Sequence, residues 1–191
     1  GYSVATDDVN GDGIDDLLVS AYVAESVPGS GNKEGQIYVI LGRSDRGPAD
    51  APRLRDLSSL AGAADLTITA ETPVDQRGME SALQVIDLDG DGSGAGVCGP
   101  HNAEGPAESE SSRGEVVVVF GQASFLARSL QIGRGAVSGF DVLRIHGETA
   151  GDRFGEGMAS GDVDGDGVAD LIVGATGVDA YAGGPSGPRD F

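Results

Sequence analysis

Asp162-Val163-Asp164-Gly165-Asp166-Gly167-Val168-Ala169-Asp170-Leu171-Ile172-Val173 is the segment from which the rest of the chain can be read. It places carboxylates at positions 1, 3, 5 and 9 of a loop, breaks the loop with two glycines, and runs straight into strand-forming residues. The glycines permit a tight turn through positive φ. That turn aims alternate side-chain oxygens inward and leaves the Val168 carbonyl, at position 7, free to join them. The pattern occurs twice more. Asp8-Val9-Asn10-Gly11-Asp12-Gly13-Ile14-Asp15-Asp16 is the first copy, and Asp87-Leu88-Asp89-Gly90-Asp91-Gly92-Ser93 is the middle one. The steps between copies are 79 and 75 residues.

The repeat extends beyond the loops. Apolar runs ending in glycine occur at Gly35–Gly42 and Gly114–Gly121, again 79 residues apart. Further strand-like runs lie at 65–69 and 140–145. Small-residue stretches precede each acidic loop at 2–5, 79–85 and 154–159. Each unit is thus expected to hold four short strands: one before the loop, a second at 17–20 or 171–174, a third at 37–41 or 116–120, and a fourth at 66–69 or 142–145. The middle unit's second strand, around Val97 and Cys98, is short and poor in strand formers. Residues 53–63 are the nearest approach to a helix.

Tandem four-stranded units predict an all-β fold built of antiparallel β-propeller blades. The competing arrangements are an antiparallel sandwich and a β-solenoid. The units divide at 1–76, 77–152 and 153–191, which makes about two and a half blades. Propellers close with four to eight, so the 191 residues are expected to be part of a larger propeller or an assembling piece.

Composition narrows the function. The formal charge of −19 leaves no basic face for phosphate, which argues against nucleic acid and against anionic membranes. No apolar run reaches bilayer length and no charged-then-apolar leader is present. Glycine, at 33 residues, indicates many turns. One cysteine, Cys98, permits no intrachain disulfide, and two histidines, His101 and His146, are too few for a His-rich zinc site.

The acidic loops instead suit a hard cation. Calcium takes six to eight oxygens in a flexible shell, whereas magnesium demands a stricter octahedron. The expected ligands are Asp8, Asn10, Asp12, the Ile14 carbonyl and Asp16 in loop one, and Asp162, Asp164, Asp166, the Val168 carbonyl and Asp170 in loop three. In loop two they are Asp87, Asp89, Asp91 and the Ser93 carbonyl; Ala95 stands at position 9, so this site is completed by water or a shifted group, or is weak or empty. Together these positions use ten of the 31 acidic side chains. Asp15 and Asp7 are read as solvated neighbours. An EF-hand is excluded, because position 12 is Val19, Cys98 or Val173 instead of a bidentate Glu between helices.

These residues resemble the FG-GAP repeat of the integrin α-subunit β-propeller family and its bacterial relatives. Phe154-Gly155 matches the FG, and Gly174-Ala175-Thr176 stands where Gly-Ala-Pro is usual. Asp162, Asp164, Asp166 and Asp170 match the family's calcium loop, as do Asp8, Asn10, Asp12 and Asp16. Unit one departs with Ser20-Ala21-Tyr22, and unit two with Arg77-Gly78 and Gly99-Pro100. The resemblance implies a seven-bladed propeller, structural calcium, an extracellular or cell-surface location, and partners docking opposite the calcium loops.

The expected function is a calcium-stabilised scaffold for protein or glycan binding and cell adhesion, not an enzyme. Its ligand would sit on a loop face, with the remaining blades coming from further sequence or another chain. The alternatives are the non-catalytic propeller portion of a secreted hydrolase or lyase, and a building block of a cell-surface assembly. The long loops 22–34, 101–113 and 177–188 are candidate contact surfaces, with Tyr22 and Tyr181 as aromatic candidates. An enzymatic reading would have to use His101 with Glu104 and Glu108, or Ser109, Ser111 and Ser112. No nucleophile elbow accompanies them. His146 reads as a rim residue and Cys98 as a small buried filler.

Overall fold

The computed structural model describes residues 2–25, 29–31, 35–44, 64–70, 83–104, 112–123, 129–132 and 139–177. Within them, eleven strands form three sheets. β1 (Val4–Asp7), β2 (Asp16–Ala21), β3 (Gln36–Ile40) and β4 (Leu66–Ala70) make the first meander. β5 (Leu83–Ile86), β6 (Ala95–Cys98), β7 (Glu115–Val119) and β9 (Val142–His146) make the second, and β10 (Phe154–Gly161) pairs with β11 (Asp170–Ala175) in the third. Neighbours within each meander are antiparallel. The expected helix at 53–63, Tyr181, and the Arg77-Gly78 motif lie outside the described residues.

One strand was not anticipated. β8 (Ser129–Ile132), which lies between β7 and β9 in sequence, crosses to the first sheet and pairs with β4 in parallel. That sheet therefore has five strands, in the order β1-β2-β3-β4-β8. Its anchor is Leu130, 1% exposed and packed in the core between the first two sheets. A four-residue run holding a single large buried side chain has too little pattern to announce a strand.

The central strands of the second sheet, β6 and β7, are covered on both faces. Val117 and Val119 of β7 pack with Leu18, Ile37, Val39, Leu66 and Ile68 of the first sheet. Val116 and Val118, on the opposite face, join Ile86, Ala95 and Val97, against which Phe154, Met158, Leu171 and Val173 pack. This double burial is why β7 is an unbroken valine run instead of an alternating one. Each such valine contributes about 1.5–3 kcal/mol by leaving water.

Polar side chains at one repeat position are also buried. In the first sheet Gln36 donates to Thr69 Oγ1 at 3.3 Å and accepts from the Tyr38 hydroxyl. The residue 79 positions later, Glu115, accepts from Arg144 at 2.6 Å and lies 3.2 Å from His146 Nδ1. His146 is therefore the last residue of β9, paired in register with Glu115, and not a rim residue beyond the strand.

Candidate metal centres in the acidic loops

Each acidic loop joins the first and second strands of its sheet: β1 to β2, β5 to β6, β10 to β11. The local logic is the same three times. The first aspartate folds back over the turn and accepts backbone amides. Asp8 Oδ1 takes Gly11 N at 2.8 Å and its Oδ2 takes Gly13 N at 2.6 Å. Asp87 takes Gly90 N at 2.8 Å and Gly92 N at 3.0 Å, and Asp162 takes Gly165 N at 2.7 Å and Gly167 N at 3.0 Å. The fifth residue then accepts the amide of the seventh: Asp12 from Ile14 at 2.9 Å, Asp91 from Ser93 at 2.7 Å, Asp166 from Val168 at 2.8 Å. Both glycines of every loop have positive φ, from 71° at Gly11 to 92° at Gly167.

This winding gathers charge. Asp87, Asp89 and Asp91 bring carboxylate oxygens within 4.8 Å of one another, and so do Asp162, Asp164 and Asp166. The middle loop is thus as convergent as the third, although Ala95 supplies no carboxylate. In loop one Asn10 replaces the central carboxylate and donates its amide to Asp12 at 3.2 Å. All the donors are oxygens, which matches the preference of calcium and disfavours zinc or copper. Burial pushes the Asp8 carboxyl up, but the amides of Gly13, Asp12, Gly11 and Asn10 outweigh it and hold its pKa below the ordinary value. An ionised Asp8 is what a cation site needs.

Position 9 does more than the sequence suggested. Asp16 is 1% exposed and accepts Val9 N at 3.0 Å and Gly42 N at 2.6 Å. It thereby ties the loop's second residue to the end of β3. Burial raises its pKa; the Gly42 and Val9 amides oppose the rise, and the negative charges of Asp12 and Asp8 add to it. Asp170 repeats half of this arrangement, accepting Val163 N at 2.8 Å. Asp15 and Asp7 are exposed.

Of the remaining candidates, His101 and Ser112 are linked through Asn102, whose side-chain oxygen accepts from Ser112 Oγ at 3.3 Å. His101 Nε2 lies 2.9 Å from the Asn102 side-chain nitrogen. Glu108, Ser109 and Ser111 lie outside the described residues. Cys98 is buried, and burial pushes its thiol up to about 12, which leaves it inert. Tyr22 meets the exposed Tyr2 edge to face, with ring centroids 5.2 Å apart.

Stacked antiparallel sheets, each carrying an acidic loop between its first two strands, define a set of β-propeller blades. The FG-GAP repeat family model matches residues 1–40 and 154–187, which contain loops one and three. Over 187 residues, 95% of the chain, the sequence is 34% identical to human integrin alpha-IIb. The chain thus carries FG-GAP repeats and is similar over most of its length to an integrin α-subunit. It spans 15% of the length of that relative.

Proposed function

We propose that the chain is a calcium-stabilised, extracellular or cell-surface propeller scaffold, with blade units 1–76, 77–152 and 153–191, that binds a protein or glycan partner in adhesion. The observation that carries this reading is one loop geometry recurring three times, in which the first aspartate accepts the backbone amides of the turn; in loops two and three its carboxylate also converges with the two that follow it. Asp8, Asn10, Asp12, Asp16 and the Ile14 carbonyl would hold the first cation. Asp87, Asp89, Asp91 and the Ser93 carbonyl would hold the second, and Asp162, Asp164, Asp166, Asp170 and the Val168 carbonyl the third. A bound cation would offset the repulsion among these carboxylates and brace the hairpin each loop joins.

The buried Cys98 thiol is no candidate nucleophile. Among the described residues no helix is long and apolar enough to cross a membrane. Further blades, from more sequence or another chain, are favoured by the apolar side chains left on the sheet faces: Val4 is 63% exposed, Ile172 51% and Leu143 46%.

Thermal unfolding in millimolar calcium chloride and in chelator tests the reading. Calcium at a hundred times its dissociation constant adds about 2.7 kcal/mol per site, because it binds the native state alone. The melting temperature is expected to rise with calcium and fall with chelator. Superimposable curves would reject structural calcium.

A further inference from the structure

Loops one and two are joined by a path of peptide groups that the calcium reading alone does not anticipate. The Ser93 carbonyl is the expected position 7 ligand of loop two. The amide of the same peptide unit, Gly94 N, donates to the Asp8 carbonyl at 2.7 Å. Asp8 is the first residue of loop one. Its peptide continues into Val9 N, which donates to Asp16 Oδ2 at 3.0 Å, the position 9 carboxylate of loop one. Two peptide units thus connect a ligand of the second site to a ligand of the first. The Val9 carbonyl adds a parallel link, accepting Gln122 N at 3.2 Å from the end of β7's sheet.

The path is tightly held. Gly94 is buried, and a Cβ there would collide with Val85 Cγ1 and come within 3.3 Å of the Asp8 carbonyl. Loop three has no such connection. Among the described residues the corresponding bond, from the Ala169 amide to the Asp87 carbonyl, is absent. Loop two comes near loop three at Gly90, where an added Cβ would stand 3.3 Å from Val168 Cγ2.

We propose that loops one and two take up calcium cooperatively through the Ser93–Gly94 and Asp8–Val9 peptides, while loop three fills independently. This rests on the calcium reading above. Drawing electron density toward a ligating Ser93 carbonyl makes Gly94 N–H a stronger donor, which polarises the Asp8 carbonyl and strengthens the Val9 N–H bond to Asp16; hydrogen bonds in series reinforce one another in this way. The relay also fixes the backbone on which Asp8 and Asp16 converge. By linkage the effect must run equally in both directions. Cooperative filling would let two neighbouring blades stiffen together over a narrow range of calcium.

The test is a calcium chloride titration followed by NMR, reading the amides of Gly13, Gly92 and Gly167 as separate reporters of the three loops. The variant Asp89→Ala with Asp91→Asn empties loop two while keeping an acceptor for Ser93 N. It is expected to weaken loop one about fivefold or more and leave loop three within twofold. The mirror variant, Asn10→Ala with Asp12→Asn, should weaken loop two by the same factor. Equal affinities of loop one with and without loop two, equal losses at loops one and three, or a second loop that never fills in the wild type would each overturn the coupling. A wild-type titration that moves no reporter would sink the calcium reading itself.

Discussion

Gly99 and Gly155 meet backbone against backbone where the second sheet packs on the third: the Cα of Gly99 would lie 3.1 Å from a Cβ built on Gly155, and a Cβ on Gly99 would collide with the Gly155 carbonyl oxygen. Gly155 also has φ +90°. Just before it, Arg153 N and Phe154 N donate to the Ser112 and Arg113 carbonyls at 2.9 and 3.2 Å. The Phe-Gly pair is therefore a close-approach joint between blades. Gly155→Ala must accept both left-handed strain and overlap with Glu115 O, 2.7 Å from the added carbon. A loss of at least about 2 kcal/mol is expected in urea unfolding. Gly157→Ala, with nothing within 4 Å of the added carbon, should stay within about 0.5 kcal/mol. Equal losses would show that the joint tolerates bulk.

Asp16→Ala removes the acceptor of two backbone amides in a buried place. We expect a cost of roughly 3 kcal/mol, measured by denaturant unfolding in chelator so that no cation contributes. Asp170→Ala, which frees only Val163 N, should cost less than half as much. Similar values for the two would mean that the ties to β3 through Gly42 carry no weight.

Leu130→Ala tests the crossing strand. Truncating a fully buried leucine costs about 2–5 kcal/mol, and the loss should appear in the cooperative unfolding of the whole unit, because Leu130 packs in the core shared by the first two sheets. Gln131→Ala, exposed on the same strand, is expected to be nearly neutral. If Leu130→Ala were equally silent, β8 would be an ornament on the sheet edge.

Acid stability should depend on Asp152. The Thr149 hydroxyl and then the Thr149 amide, at 2.6 and 2.8 Å, hold its carboxyl below its ordinary value of 3.8. A carboxylate whose folded pKa is depressed stabilises the fold fully above its unfolded pKa and loses that contribution as pH falls through the folded one. Asp152→Asn should therefore flatten the stability curve below about pH 4 while changing its slope little near neutrality. An acid limb identical to that of the wild type would refute this role.

Much of this architecture could be read from the chain alone. Alternating aspartate and glycine is a short-range instruction, and the amides that Asp8, Asp87 and Asp162 accept lie three to five residues away. The valine run of β7 likewise declares burial on both faces through composition. The 79-residue step aligns Asp8 with Asp87 and the run Gly35–Gly42 with Gly114–Gly121. What the chain by itself determined, then, was the blade, its acidic loop and their order. Tertiary structure alone decided that 129–132 would cross to the first sheet, that Asp16 would hold the end of β3, and that Gly94 would bond to Asp8 across 86 residues. Those contacts depend on how two folded surfaces meet, and a backbone donor or acceptor looks the same at every position until its partner arrives.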